Sequence, residues 1–229
     1  MKYLTIFFIA ILIFTGCKTT TKLNDKTDSL ANAKWIAYEH LEDSMKVVPA
    51  VHGSGNELGN KGVKRSVVPM FRKEFTVAGN IEKASINISG LGQYELFMNG
   101  EKVGDRFLAP GWTNYEKRIF YNTYDITSQL KNGANAIGVL VGNGFYNVNR
   151  ERYRKLVVAY GYPKLIFNIT IQYKNGSVQN IISDENCRVL PSPITFSSIY
   201  GGEDYDATLE QPGWNTAGFD DSDWKTPVL

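Results

Sequence analysis

The sequence is poor in cysteine and histidine, and this scarcity excludes several kinds of protein. Each of the two residue types occurs only twice in 229 residues. Cys17 and Cys187 are too few for a disulfide framework, so a hydrophobic core must stabilise the chain. His40 and His52 have no Cys or His companion at the spacing of a metal site and no nucleophile motif beside them, so we assign them no function.

An excess of charge of one sign is also missing. There are 25 Lys and Arg residues against 23 Asp and Glu residues, and the formal net charge is +2. This balance gives no reason to expect a nucleic acid as a partner. Residues 147–162 carry a local basic cluster that includes Arg150, Arg152 and Arg154. We predict a long loop here, with the basic side chains on its solvated face.

The apolar run at the N-terminus is too short to cross a membrane as a helix, which needs about 20 residues. Lys2 precedes the run, the run itself covers 4–14, and the small residues Thr15 and Gly16 follow it. A positive residue, a short apolar region and small residues are typical of a secretory signal. We therefore predict a signal peptide over 1–16.

Cys17 directly follows that signal. The two together resemble a bacterial lipobox, in which the cysteine becomes the first residue of the mature protein and carries the lipid. The resemblance implies a lipid-anchored protein of the cell envelope, on the periplasmic or surface face of the outer membrane. An ordinary signal peptide with a chance cysteine is the alternative. Residues 17–34 have few apolar side chains and are predicted to form a flexible tether.

Helical periodicity is scarce, whereas apolar and polar residues alternate in several segments. The segments with this alternation are 71–77, 84–89, 94–98 and 165–173, although Phe97 breaks the polar face of 94–98. A period of two predicts half-buried strands. Residues 136–141 are instead apolar throughout, which predicts a central strand covered on both faces.

Turn signals separate these predicted strands. Asn99-Gly100 and Asn175-Gly176 each follow an alternating segment and predict tight hairpin turns. Many short strands with frequent turns predict an all-β protein, an antiparallel β-sandwich. After position 190 the pattern becomes irregular. We therefore predict one β-sandwich domain over 35–190, and over 191–229 the start of a further β region or a linker.

Several segments, taken in order, resemble one enzyme family. They are 90–100 (GLGQYELFMNG), 103–105 (VGD), 108–118 (LAPGWTNYEKR), 121–127 (YNTYDIT), 142–146 (GNGFY), 199–207 (IYGGEDYDA) and 219–224 (FDDSDW). Together they are similar to the N-terminal region of bacterial α-L-rhamnosidases, which hydrolyse terminal α-L-rhamnose. The similarity extends over 35–229. Asn114 stands where the family commonly has Asp, and Phe145 where it commonly has Trp.

The resemblance implies a sandwich of the jelly-roll or galactose-binding type. In that family the catalytic acid and base lie in a separate barrel of paired helices, and nothing in this sequence resembles such a barrel. The resemblance thus implies that the chain alone is inactive. It also implies two partners: a rhamnose-containing glycan and the C-terminal catalytic domains of the same enzyme.

Acidic residues cluster at 203–206 and at 220–223. Glycoside hydrolysis needs a pair of carboxyl groups, but we interpret these acids as capping groups of turns. Related rhamnose-binding sandwich modules use a calcium ion, which prefers carboxylate and amide oxygens. The resemblance therefore suggests Ca²⁺ as a cofactor, with Asp204, Asp206 and Asn143 as candidate ligands.

Aromatic and amide side chains of the family segments are the candidates for binding carbohydrate. They are Trp112, Asn114, Tyr115, Asn143, Phe145 and Tyr146. The C–H face of a pyranose packs on a flat aromatic ring, and amides bind its hydroxyls. The alternative for Trp112 and Tyr115 is that they plug the edge of the sandwich. Trp214 and Trp224 are predicted to be core anchors of the 191–229 region.

Two functions follow from these observations. One is the non-catalytic front of an α-L-rhamnosidase, which assists substrate recognition and domain packing. The other is a self-standing sugar-binding lipoprotein. The abrupt end of the pattern after Trp224 favours the first. The coding sequence directly downstream of Leu229 would separate them, because only the first function requires paired helices to be encoded there.

Overall fold

The computed structural model describes residues 30–51 and 56–229. The predicted signal peptide, Cys17 and most of the predicted tether lie outside these ranges. Within them, no helix is long and apolar enough to span a membrane.

Short strands make up nearly all of the regular structure in the described ranges. The strands are β1 (Ile36–Ala37), β2 (Val47–Val51), β3 (Pro69–Val77), β4 (Ile81–Leu91), β5 (Gln93–Met98), β6 (Glu101–Lys102), β7 (Asn122–Asp125), β8 (Gly133–Gly142), β9 (Asn147–Val148), β10 (Leu156–Ala159), β11 (Lys164–Tyr173), β12 (Val178–Ile182), β13 (Arg188–Pro191), β14 (Ile194–Ser198) and β15 (Gly202–Tyr205). The only helices in these ranges are single 3₁₀ turns, at Asp43–Met45, Asn56–Leu58, Thr127–Gln129 and Ala207–Leu209.

Two five-stranded antiparallel sheets form the sandwich. The first has the order β1–β11–β4–β7, with β12 also paired to β11, and the second has the order β13–β3–β8–β5–β6. A three-stranded sheet, β2–β10–β9, and the hairpin β14–β15 complete the described chain. All strand pairs are antiparallel. The predicted all-β sandwich is confirmed.

One continuous core fills the space between the two large sheets. The alternation seen in the sequence explains it, because successive side chains of a strand point to opposite faces. From the first sheet, Ile88 and Phe167 point inward, and from the second, Phe71 and Val139 do so. All four are almost fully buried. Each such side chain contributes about 1.5–3 kcal/mol through its burial.

The two predicted hairpin turns differ. Asn99 and Gly100 both have positive φ, 52° and 89°, which fits the tight turn expected between β5 and β6. At the second turn only Gly176 has a positive φ, 83°. There the Asn175 side chain accepts a hydrogen bond from the Ser177 backbone N–H at 3.0 Å. The turn between β11 and β12 is therefore a longer loop that uses glycine at a single position.

The prediction of one long loop over 147–162 was wrong in part. Strands β9 and β10 lie within this range and pair with each other. Val157, Val158 and Ala159 are buried, because β10 also pairs with β2 and closes a small core with it. The neighbouring basic residues obscured this short apolar run in the sequence.

The C-terminal segment packs against the sandwich rather than extending away from it. β13 pairs with β3, and Val228 and Ala37 exchange two backbone hydrogen bonds of 2.9 Å. Trp224 is buried and stacks on Trp214, with ring centroids 6.2 Å apart. Residues 210–224, called the C-terminal strap below, thus cover the outer face of the second sheet. The boundary near 190 stays a prediction.

Candidate functional site

Two loops at one end of the sandwich carry the aromatic candidates. The first, residues 103–121, joins β6 to β7 and presents Trp112 and Tyr115. The second follows β8 and presents Phe145 and Tyr146. The two loops meet through their rings: Trp112 lies against Phe145 at a centroid distance of 5.1 Å, and Tyr115 lies edge-on to Tyr146 at 5.2 Å. Residues far apart in sequence therefore form one surface.

The pair Trp112 and Phe145 is part of a longer row of rings. From Phe145 the row continues to Tyr200 at 6.1 Å and from Tyr200 to Tyr153 at 4.6 Å, the last two rings being stacked. Trp112 is 63% exposed and Tyr200 47% exposed. These two rings offer area to a ligand without any movement of the backbone. This surface, made of Trp112, Phe145, Tyr200 and Tyr153, is called the aromatic row below.

The second group of rings lies deeper. Tyr115 and Tyr146 both contact Tyr160, at 5.6 Å and 5.9 Å. Burial raises the pKa of Tyr115 to about 12, with further increases from the neighbouring Tyr146 and Tyr160. Burial likewise raises the pKa of Tyr146 to about 12. Both phenols therefore stay protonated near neutral pH and position the loops rather than exchange protons.

The two asparagine candidates have different surroundings. Asn143 is buried. It accepts a hydrogen bond from the Ser66 hydroxyl and donates one to the backbone oxygen of Ser197 at 2.8 Å. Asn114 is exposed, and its Oδ1 accepts a hydrogen bond from the Glu116 backbone N–H at 3.1 Å. Asn143 thus fixes the second loop to its neighbours, while the Asn114 side chain faces solvent beside Trp112 and Tyr115 in sequence.

The acidic candidates are engaged with protein groups. Asp204 pairs with Arg152 at 2.5 Å and lies 3.6 Å from Arg65. The hydrogen bond from Arg152 is the main reason that the pKa of Asp204 is lowered. The carboxylate of Asp206 accepts hydrogen bonds from the backbone N–H and the hydroxyl of Thr208, at 2.9 Å and 2.6 Å. Both acids act as structural groups at this end of the fold.

Comparison with known proteins identifies the family. A family model described as the α-L-rhamnosidase N-terminal domain matches residues 79–228. The chain belongs to this family.

The curated relatives of this rhamnosidase N-terminal domain are longer proteins named α-L-rhamnosidase. An α-L-rhamnosidase of Formosa agariphila is 42% identical over 67% of this chain and 17% of its own length. One from Streptomyces avermitilis is 36% identical over 95% of this chain and 22% of its own length. The chain therefore spans about a fifth of the length of these relatives.

Solved structures agree with that assignment. The α-L-rhamnosidase of Dictyoglomus thermophilum matches 86% of this chain with a TM-score of 0.69 and 40% identity. That of Aspergillus terreus matches 88% with a TM-score of 0.68 and 35% identity. In each case the match covers 21% of the solved chain. The predicted resemblance to the front of a rhamnosidase is confirmed.

The predicted calcium ligands of this rhamnosidase domain do not form an open oxygen cage. Asp204 faces two guanidinium groups. The side-chain oxygen of Asn143 accepts a hydrogen bond from Ser66, and that of Asp206 accepts one from Thr208. In the described part of the chain, no group of three or more His, Cys, Asp or Glu side chains is arranged to hold a metal. These side chains do not fit the ion, and the calcium site stays a prediction from the sequence.

Sequence reasoning missed three rings of the rhamnosidase domain. Tyr160 and Tyr200 contact the candidates directly, and Tyr153 stacks on Tyr200. Tyr200 lies in the family segment 199–207, so the sequence could have identified it as a candidate. Tyr153 and Tyr160 lie in the range predicted as a solvated basic loop, where only the pairing of β10 with β2 and β9 reveals that the chain returns to the sandwich.

Proposed function

We propose that this chain is the non-catalytic β-sandwich part of an α-L-rhamnosidase and that it helps to recognise a rhamnose-containing glycan. The exposed ring of Trp112 beside Phe145 carries this proposal. The membership in the rhamnosidase N-terminal family and the coverage of about a fifth of each relative support it.

The aromatic row suits the apolar face of a sugar. A pyranose packs its C–H face on an indole ring, and its hydroxyls need polar neighbours. Asn114, which is exposed and two positions after Trp112 in the sequence, is the candidate for such a neighbour. Each hydrogen bond to a hydroxyl replaces one to water and contributes only about 0.5–1.5 kcal/mol. A shallow site of this kind is expected to bind with about −4 kcal/mol, a dissociation constant near the millimolar scale.

The second part of the proposal is packing against the remaining domains of the enzyme. Large apolar side chains of the loop 103–121 are unusually exposed: Phe107 is 82% exposed, Leu108 63% and Phe120 48%. Contiguous exposed apolar side chains are typical of surfaces that another protein part covers. The loop 103–121 therefore serves both sugar recognition and domain packing. Trp112 belongs to the aromatic row, while Phe107 and Leu108 are exposed to a neighbouring domain.

A titration with L-rhamnose tests the recognition role. Trp112→Ala is expected to abolish millimolar binding followed by tryptophan fluorescence or calorimetry. Phe107→Ala, which removes an exposed ring of the same loop outside the aromatic row, should leave rhamnose binding unchanged.

Repeating the rhamnose titration with a chelator present tests the calcium prediction, because binding that is bridged by calcium would be lost. The same preparations should release no rhamnose from an aryl α-L-rhamnoside. Equal binding by both variants, or turnover that Asp204→Ala removes, would contradict the proposal.

We also propose that the protein is anchored to the cell envelope by a lipid on Cys17. The lipobox-like sequence supports this. Cys17→Ser should move the protein from the membrane fraction to a soluble or unprocessed form, as followed by fractionation and immunoblotting. Correct processing together with continued extraction into detergent would show that another feature holds the protein at the membrane.

A further inference from the structure

A cleft lies on the outer face of the second sheet, under the C-terminal strap. Its volume is about 420 Å³, within the range of small-ligand sites. Met70, Phe97 and Leu140 form its floor, and each comes from a different strand, β3, β5 and β8. The strap and Tyr205 form its walls. We call this the strap cleft.

The aromatic side of the strap cleft is rigidly positioned. Trp214 lies edge-on to Phe97, with centroids 6.0 Å apart, and stacks on Trp224. Its ring also lies over the backbone of Gly138, where an added Cβ would be 2.8 Å from the indole. Glycine at this position of β8 therefore allows Trp214 to approach the sheet. Contacts within the protein therefore already hold the Trp214 ring in place at the cleft.

The polar side of the strap cleft is formed by the first residues of the strap. The Tyr205 hydroxyl donates a hydrogen bond of 2.6 Å to Glu210 Oε1, which fixes the direction of that carboxylate. Gln211 and Asn215 also line the cleft, and among the described residues no hydrogen bond or ion pair engages either amide side chain. Two free amides and one oriented carboxylate thus lie in the same cleft as the rings of Trp214 and Phe97.

We infer that the strap cleft binds one neutral sugar unit of a glycan, at a site separate from the aromatic row. An aromatic ring matches the C–H face of a pyranose, while amides and a carboxylate match its hydroxyls, which both donate and accept. An anionic ligand is disfavoured because Glu210 is acidic and none of the residues described as lining the cleft is basic. A purely apolar ligand would leave the amides of Gln211 and Asn215 without partners.

Indole N–H resonances provide a site-specific test. The chain has four tryptophans, so a ¹⁵N-labelled sample of the whole protein gives a small set of indole signals that Trp→Phe variants assign. The probes are the methyl glycosides of α-L-rhamnose, α-D-glucose and β-D-galactose, each titrated to tens of millimolar. At least one probe is expected to shift the Trp214 signal in a saturable way, with a dissociation constant near the millimolar scale.

Substitutions of the two amide residues test whether the Trp214 shift comes from binding in the strap cleft. Replacing both Gln211 and Asn215 with alanine should weaken the effect on Trp214 by about tenfold or more, since two hydrogen bonds are lost. The control Gln172→Ala, which removes an exposed amide of β11, should leave it intact. The Trp112 signal reports separately on the aromatic row, so absence of binding in the strap cleft can be distinguished from absence of binding at the aromatic row. No saturable Trp214 shift with any probe, or a shift that survives the double substitution, would overturn the inference.

Discussion

Replacing Arg72 with alanine is expected to lower the free energy of unfolding by about 3 kcal/mol or more. Arg72 is on the outer face of β3 and only 2% exposed. Its guanidinium donates hydrogen bonds to the backbone oxygens of Trp214 and Thr216, at 2.9 Å and 3.1 Å, and pairs with Asp221. It also lies over the Phe219 ring at 5.5 Å. One cation thus joins the second sheet to the strap.

The large expected effect comes from what the substitution leaves behind. Without the guanidinium, two strap carbonyls between the strap and the sheet lose their donor, and the partly exposed carboxylate of Asp221 loses its cation. Leaving buried polar groups unpaired costs more than the net value of the interactions themselves. Arg72→Lys should recover only part of the stability, because an ammonium cannot reproduce the planar, forked geometry of the guanidinium.

Urea unfolding followed by tryptophan fluorescence measures this effect. Arg118→Ala is the matched control, because it removes an exposed arginine from the 103–121 loop and should change stability by no more than about 0.5 kcal/mol. If Arg72→Ala costs less than about 1 kcal/mol, the tryptophan contacts of the strap, rather than the buried cation, hold it to the sheet.

The sequence predicted the strands whose two faces differ, and it predicted that β8 is covered on both faces. It did not predict that the C-terminal strap covers the outer faces of β3 and β5. The alternation in β3 and β5 identified the inward face correctly. The outward face of β5 was expected to be polar, and Phe97 did not fit that expectation. Phe97 is apolar because Trp214 packs against it. Arg72 is a polar position of the alternation in 71–77, and it is buried for the same reason.

The candidate site shows a similar division. The family segments made Trp112 and Phe145 candidates, and the structure brings these two rings into contact. The segment pattern could not reveal that Tyr200 and Tyr153 extend the row, nor that Asn143 is held by Ser66 and Ser197. These contacts join parts of the chain that are far apart in sequence, and each depends on how the small sheet and the hairpin β14–β15 return to the sandwich.

Gly92→Ala is expected to damage both stability and the candidate sugar site. Gly92 joins β4 to β5 with a φ of 124°, and an added Cβ would clash with the backbone oxygen of Gly142. A strained φ costs about 1–3 kcal/mol, and overpacking against a rigid neighbour costs about 1–3 kcal/mol more. Because Gly142 ends β8 immediately before the loop that carries Phe145, relief of the clash would also displace that ring from Trp112.

Gly176→Ala is the matched control for this substitution. Gly176 also has a positive φ, 83°, but an added Cβ there meets nothing within 4 Å. It should cost only about 1 kcal/mol, from the backbone strain alone, and leave rhamnose binding unchanged. Urea unfolding and the rhamnose titration, applied to both variants, separate strain from steric overlap. Equal stability losses in the two variants would show that the contact between Gly92 and Gly142 does not position the loop. A Gly92→Ala protein that keeps rhamnose binding would place the sugar contact away from Phe145.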